Sequence, residues 1–121
     1  MKMLKAIVRP ERENEVVKAL EAAGIVAMTR MDVLGRGQQG GVQVGATLYD
    51  EIPKVQFLVA VEDAQVEVAL KAIQEGARTG SFGDGIVFVS PVEAAITIRT
   101  GAPASGGTQS SPAGKEPARG S

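Results

Sequence analysis

The sequence contains no histidine, no cysteine and no tryptophan. Without Cys or His it cannot build the usual zinc site, and Ser-His-Asp and Cys-His catalysis are closed to it. It can form no disulfide, so nothing in it points to an oxidising compartment. Aromatic residues are few, three Phe and one Tyr, too few for a sheet that stacks RNA bases. Neither sign of charge dominates. The 13 Lys and Arg against 14 Asp and Glu leave a net charge of −1, which offers no basic field for nucleic acid. No apolar run reaches membrane-spanning length, and the opening "MKMLKAIVRPERE" turns charged too soon for a secretory signal. The expectation is a soluble, cytoplasmic protein that binds no nucleic acid and inserts into no membrane.

What is present is a chain of 121 residues, 44% of them hydrophobic, the size of one domain with a real core. "KMLKAIVR" alternates as a strand, with Leu4, Ala6 and Val8 on one face, and Pro10 ends it. "ERENEVVKALEAAG" repeats Val16, Leu20 and Ala23 at helical spacing and stops at Gly24. "IVAMTRMDVLG" predicts a long strand with Ile25, Ala27, Thr29, Met31 and Val33 on one face and Arg30 and Asp32 on the other. "GRGQQGGVQVGATLYDEIPK" has five glycines and no helical period, so it is a long loop or an extended hairpin arm. "KVQFLVAV" sets Val55, Phe57, Val59 and Val61 on one face. "EDAQVEVALKAIQEGARTG" predicts a second helix with the stripe Val66, Ala69, Leu70, Ile73 and Ala77, an N-cap at Asp63 and a stop at Gly80. "IVFVS" reads as a short buried strand, and a last short strand falls near Ile96 to Arg99.

The order is β-α-β, loop, β-α-β, which predicts an α+β fold: a ferredoxin-like βαββαβ sandwich with one antiparallel sheet and both helices on one side. The segments "FLVAV" and "IVFV" are apolar on both faces, so something outside the chain must cover the open face of the sheet, and self-association is the simplest cover. The domain is expected over residues 1–100. From residue 101 the chain is rich in Gly, Pro and Ser and has no large apolar residue, which predicts a disordered tail over 101–121.

The stretch "ARTGSFGDGIVFVSP" places Gly80, Gly83, Asp84 and Gly85 between the second helix and an apolar strand. Asp-Gly is a strong turn signal, and a tight turn is one reading. Glycines also let backbone N–H groups approach an anion with no Cβ in the way, and a phosphate cradle is the other.

Four segments carry a family resemblance: "KMLKAIVRP", "MTRMDVLGRGQQ", "RTGSFGDG" and "TIRTG". In this order, over residues 1 to about 101, the chain resembles the P-II signalling proteins. The details "LGRGQQGGVQVG", "YDEIPK", "GSFGDG" and "VSPVEAAITIRTG" look closest to the NifI branch, which regulates nitrogenase in some bacteria and archaea. The resemblance implies a regulator and not an enzyme. It implies a homotrimer, or a hetero-oligomer with a P-II paralogue, with sheets facing inward. It implies ATP or ADP, with AMP a further candidate, bound between subunits, and 2-oxoglutarate bridged to the phosphates by Mg²⁺. The segment of about residues 36–53 would be the T-loop that contacts the target, here nitrogenase.

By the same resemblance the nucleotide would meet Ile7, Thr29, Gly35, Gly37, Gln38, Gln39, Gly83, Asp84, Gly85 and Arg99. Ile7 would wall the nucleotide, Thr29 would serve the adenine side in a neighbouring subunit, and Arg99 would contact phosphate. Asp84 would shape its loop through backbone hydrogen bonds. Gln39 would give Mg²⁺ its amide oxygen, a hard ligand of the kind the ion takes. Gln39, Gly40 and Gly41 would cradle 2-oxoglutarate and Lys54 would pair with its distal carboxylate. Read singly, each is also an ordinary residue: a loop glycine, a core isoleucine, a solvated glutamine, lysine, threonine or arginine.

The chain departs from the wider family at Ile86, where a lysine follows the glycine turn, and at Thr97, where an arginine stands. Gln38 and Gly40 replace basic neighbours of Gln39, and Tyr49 does not align with the tyrosine that other members uridylylate. Two other readings stay open. One is a P-II-like sensor of another system, such as bicarbonate or carboxysome physiology, that binds ADP or AMP. The other is a small ferredoxin-like enzyme, against which the lack of histidine and of any acid–base constellation counts.

Overall fold

The computed structural model describes residues 1–36, 42–44, 47–49 and 51–106. Strand β1 (Lys2–Val8) leads through a short 3₁₀ turn into helix α1 (Glu13–Ala22). Strand β2 (Thr29–Gly35) follows, then the short strands β3 (Val42–Val44) and β4 (Thr47–Tyr49), then β5 (Ile52–Val61). A second 3₁₀ turn opens helix α2 (Val66–Ala77), and β6 (Gly85–Pro91) completes the main sheet. The main sheet is antiparallel throughout, in the order β2-β5-β1-β6. This is the expected ferredoxin-like α+β sandwich. Between β2 and β5, the segment left open as loop or hairpin arm contains an antiparallel pair, with Val42 opposite Tyr49 and Val44 opposite Thr47.

The core lies between the sheet and the helices. Leu4, Ala6 and Val8 of β1 face Val59, Phe57 and Val55 of β5 across the ladder, and all six are buried. Val16 and Leu20 of α1 and Ala69, Ile73 and Ala77 of α2 close over them. Each large side chain removed from water here contributes about 1.5–3 kcal/mol. The helices meet closely because α2 carries Gly76: a Cβ there would stand 2.8 Å from Glu15 O and Val16 Cα. Arg12 Nε caps the same spot by donating to Gly76 O at 2.9 Å.

Several elements differ from the sequence pattern, each for a local reason. β2 begins at Thr29 and not at Ile25. Gly24, with φ +85, and Ile25 finish α1 in a Schellman arrangement, Ile25 N–H donating to Leu20 O and Gly24 N–H to Glu21 O. Ile25 and Leu20 then pack together in the core, so the helix stop consumes the residue the alternation gave to the strand. Asp63 does not cap α2 through its side chain; its carboxylate accepts from the Met1 ammonium at 2.9 Å. β6, expected to be buried, is an edge strand on which Ile86, Phe88 and Val89 are exposed. Near Ile96 to Arg99 the expected strand is a single antiparallel bridge, Ile96 with Pro103. Residues 101–106, assigned by composition to the tail, have defined hydrogen bonds to the domain. Residues 107–121 lie outside the described residues.

Candidate functional site

One end of the sheet gathers six of the eight expected site residues that lie among the described residues. There β1 ends, β5 begins, β2 ends and β6 begins, because all neighbours are antiparallel. Ile7 of β1 stands opposite Ile86 of β6 and Gln56 of β5 on the open face. Gly35 closes β2 beside Lys54, where a Cβ would touch the Lys54 side chain at 3.5 Å. The turn before β6 brings Gly83, Asp84 and Gly85 to the same end.

Asp84 organises that turn. Its carboxylate accepts from Thr79 N–H and Gly80 N–H, both at 2.8 Å, from the Thr79 hydroxyl, and from Arg9 Nε at 3.0 Å. The Thr79 hydroxyl, the Thr79 backbone and the other donors hold this carboxyl well below the usual carboxylate range. Arg9 also donates to Phe82 O at 2.6 Å, and Lys54 Nζ donates to Gly83 O at 2.6 Å. Lys54 is 9% exposed; burial first, then the nearby Arg9 charge, pushes its ammonium pKa down.

Two successive carbonyls are therefore pulled toward cations. In a trans peptide the N–H points opposite to the carbonyl of the same unit, and no peptide here is cis. The N–H groups of Gly83 and Asp84 thus face away from Arg9 and Lys54. Neither donates to another described residue. Gly83 has φ +95 and Gly85 has φ +112, and a Cβ on Gly85 would overlap the Ile7 carbonyl oxygen. The turn is tight because β6 presses against β1, and it leaves two adjacent N–H groups without an acceptor among the described residues.

Ile7, Gly35, Lys54, Gly83, Asp84 and Gly85 are brought together. Thr29 lies at the other end of β2, exposed on the open face opposite Leu58. Arg99 follows the Met1 end of the sheet, where Val92 N–H donates to Met1 O, and is exposed without an ion pair among the described residues. A single chain does not carry either residue to the glycine turn. Gly37, Gln38, Gln39, Gly40 and Gly41 lie outside the described residues. Arg9 and Thr79 were not singled out by the sequence. Both lie in segments quoted for the resemblance, but their partner Asp84 is 75 residues from Arg9, and no local pattern links the two. Among the described residues no group of three or more Asp and Glu could hold a metal ion.

A βαββαβ sandwich with a glycine turn and two cations at one end of its sheet is a ferredoxin-like α+β domain. The family described as "Nitrogen regulatory protein P-II" matches residues 1–102, and the chain belongs to it. It is similar to "Nitrogen fixation nifHD region glnB-like protein 1" of Methanococcus maripaludis, with 51% identity over 100 residues, 83% of this chain and 95% of that one. It is 48% identical over 103 residues to "Nitrogen fixation nifHD1 region GlnB-like protein 1" of Methanosarcina barkeri, 85% and 98% of the two chains. With "Nitrogen regulatory protein P-II" of Cereibacter sphaeroides it shares 43% over 105 residues, 84% and 94% of the two chains. It is thus a regulatory protein, and the Methanococcus and Methanosarcina relatives are named for the nitrogen-fixation region, in keeping with the resemblance to the NifI branch. No helix of the described residues is long and apolar enough to cross a membrane.

Proposed function

We propose that this chain senses adenine nucleotide and 2-oxoglutarate at the glycine-turn end of its sheet and passes the result to a target through residues 36–53, in the control of nitrogen fixation. The observation that carries the reading is the pair of adjacent N–H groups at Gly83 and Asp84, freed for an anion while Arg9 and Lys54 hold the carbonyls behind them. The names of the relatives support the nitrogen-fixation setting, with nitrogenase as the target.

The residues fit the ligands. Gly83 and Gly85 keep the turn clear of side chains, and Ile7 gives the base or ribose an apolar wall. Lys54 supplies a desolvated ammonium, a strong partner for a carboxylate because little water competes. Gln39 would give Mg²⁺ one amide oxygen, so phosphate, 2-oxoglutarate and water oxygens would fill most of the shell. Thr29 and Arg99 enter the site only from a neighbouring subunit, which makes assembly part of the function. The open sheet face exposes Met31, Ile86 and Phe88, and covering it in a trimer supplies both the missing burial and the missing residues.

Calorimetry on the full chain with ATP, ADP and AMP, each with Mg²⁺ and with or without 2-oxoglutarate, tests the reading. Nucleotide binding that is strengthened by 2-oxoglutarate, on a particle three times the chain mass, is the expected result. A monomer that binds none of the three nucleotides would overturn it.

A further inference from the structure

The family match ends at residue 102, yet the backbone continues on a defined path to Gly106. Thr97 N–H donates to Ala102 O at 2.8 Å, Gly101 N–H to Thr97 O at 2.7 Å, and Ala104 N–H to Ala95 O at 2.8 Å. With the Ile96–Pro103 bridge these close a hairpin over residues 95–104. Ile98, Arg99 and Thr100 form its tip. Ile98 there is 99% exposed.

The last described residue fixes the return arm to the body. Gly106 N–H donates to Glu62 Oε2 at 2.6 Å, a charge-assisted bond. A Cβ on Gly106 would stand 2.7 Å from Glu62 N and 2.8 Å from Val61 Cα, so the approach is backbone against backbone and only glycine permits it. The anchor is firm. Val61 is buried at the end of β5, and Glu62 O accepts from Gln65 N–H at 2.8 Å as the turn into α2 begins.

We propose that Glu62 and Gly106 form a latch that sets the orientation of the 95–104 hairpin and so of Arg99, which makes Glu62 a positioning residue for phosphate recognition. The inference rests on the reading of Arg99 as a nucleotide contact given above. Without the latch, the hydrogen bonds that tie the hairpin to the sheet among the described residues are confined to its incoming arm, where Val92 N–H donates to Met1 O. Arg99 then samples many directions, and binding must bear the cost of ordering it. Residues 103–106 act on the site from beyond the family match.

The test uses the full chain with ADP as the probe, calorimetry for affinity and amide exchange for the hairpin. Glu62→Ala and Gly106→Val should each weaken ADP binding by about fivefold or more, the loss expected for one charge-assisted contact no longer preorganised. Exchange at the Thr97 and Ala104 amides should speed up in both. Glu62→Gln should restore affinity, since its amide oxygen still accepts. In an Arg99→Ala background Glu62→Ala should cost nothing further, a non-additivity that a purely structural contact would not show. Unchanged ADP affinity in Glu62→Ala, or a loss that adds in full to that of Arg99→Ala, overturns the latch while leaving the site reading intact. Unchanged ADP affinity in Arg99→Ala overturns the reading of Arg99 and the latch's role with it. Faster Thr97 exchange in Glu62→Ala would then show only that the hairpin is held.

Discussion

Arg9 Nε and Asp84 Oδ1 lie 3.0 Å apart, and the contact joins the end of β1 to the turn that opens β6. Asp84 spends its charge on this arginine and on the Thr79 and Gly80 donors, so it shapes the turn and does not confront an incoming anion.

The same bonds give a pH dependence of definite sign. The folded Asp84 carboxyl has a lowered pKa, so the unfolded chain holds this proton more tightly. Its stabilising contribution is fully present above about pH 4 and is lost as the pH falls below that value. Asp84→Asn should therefore flatten the acid side of a melting-temperature profile. It should also speed amide exchange at Gly80. A variant whose acid limb matches the wild type would show that Asp84 carries none of it.

The two turn glycines should differ in what they tolerate. Gly85 has φ +112 and its Cβ would run into the Ile7 carbonyl, a backbone atom that cannot yield without parting β6 from β1. Gly85→Ala should cost about 3 kcal/mol or more. Gly83 has φ +95, but its nearest neighbour is the flexible Arg9 guanidinium at 3.2 Å. Gly83→Ala should cost only about 1 kcal/mol. Denaturant melts of both variants measure the difference, and the reverse order would mean that the Ile7 contact relaxes freely.

Lys54 separates stability from recognition. Its ammonium is desolvated, and its lowered pKa says that the charge is unwelcome where it sits. Lys54→Met removes that penalty along with the bond to Gly83 O, so stability should shift by no more than about 1 kcal/mol either way. Binding of 2-oxoglutarate should fall by about tenfold or more, the loss of one charge-assisted contact. An unchanged affinity would reduce Lys54 to a strut for the glycine turn.

The main elements were legible because their patterns are periodic. Leu4, Ala6 and Val8, and Val55, Phe57, Val59 and Val61, alternate without interruption and all reached the core. Where one residue could serve two elements, the pattern misled: Ile25 fits the β2 alternation but serves the α1 stop. Burial of β6 could not be read from "IVFVS", since an apolar edge strand and an apolar central strand look alike until the strand order is known. The glycine turn was legible as a turn. Its clamp was not, because Arg9, Lys54 and Asp84 are distant in sequence and meet only through the register of three strands. Gly106 gave no signal at all within a Gly- and Pro-rich stretch; its approach to Val61 is a fact of packing.

The nucleotide preference turns on Ile86. It follows Gly85 directly, stands opposite Ile7 in the ladder and is 54% exposed on the open face. Members of the wider family resembled by this chain have a lysine here, and isoleucine can neither donate nor carry charge. Thr97 removes a second cation near Arg99. Among the described cations at the turn, Arg9 and Lys54 are already engaged with Asp84, Phe82 O and Gly83 O. The outermost phosphate of ATP, with the most charge to neutralise, should suffer most. Wild type should therefore discriminate little between ATP and ADP without 2-oxoglutarate, or favour ADP. Ile86→Lys adds back one charge-assisted bond and should tighten ATP binding by about tenfold or more, with a smaller gain for ADP. Calorimetry with both nucleotides decides the matter. Equal gains for ATP and ADP would mean that residue 86 does not reach the outer phosphate, and a wild type that already binds ATP far more tightly would mean that Lys54 or Arg99 neutralises it instead.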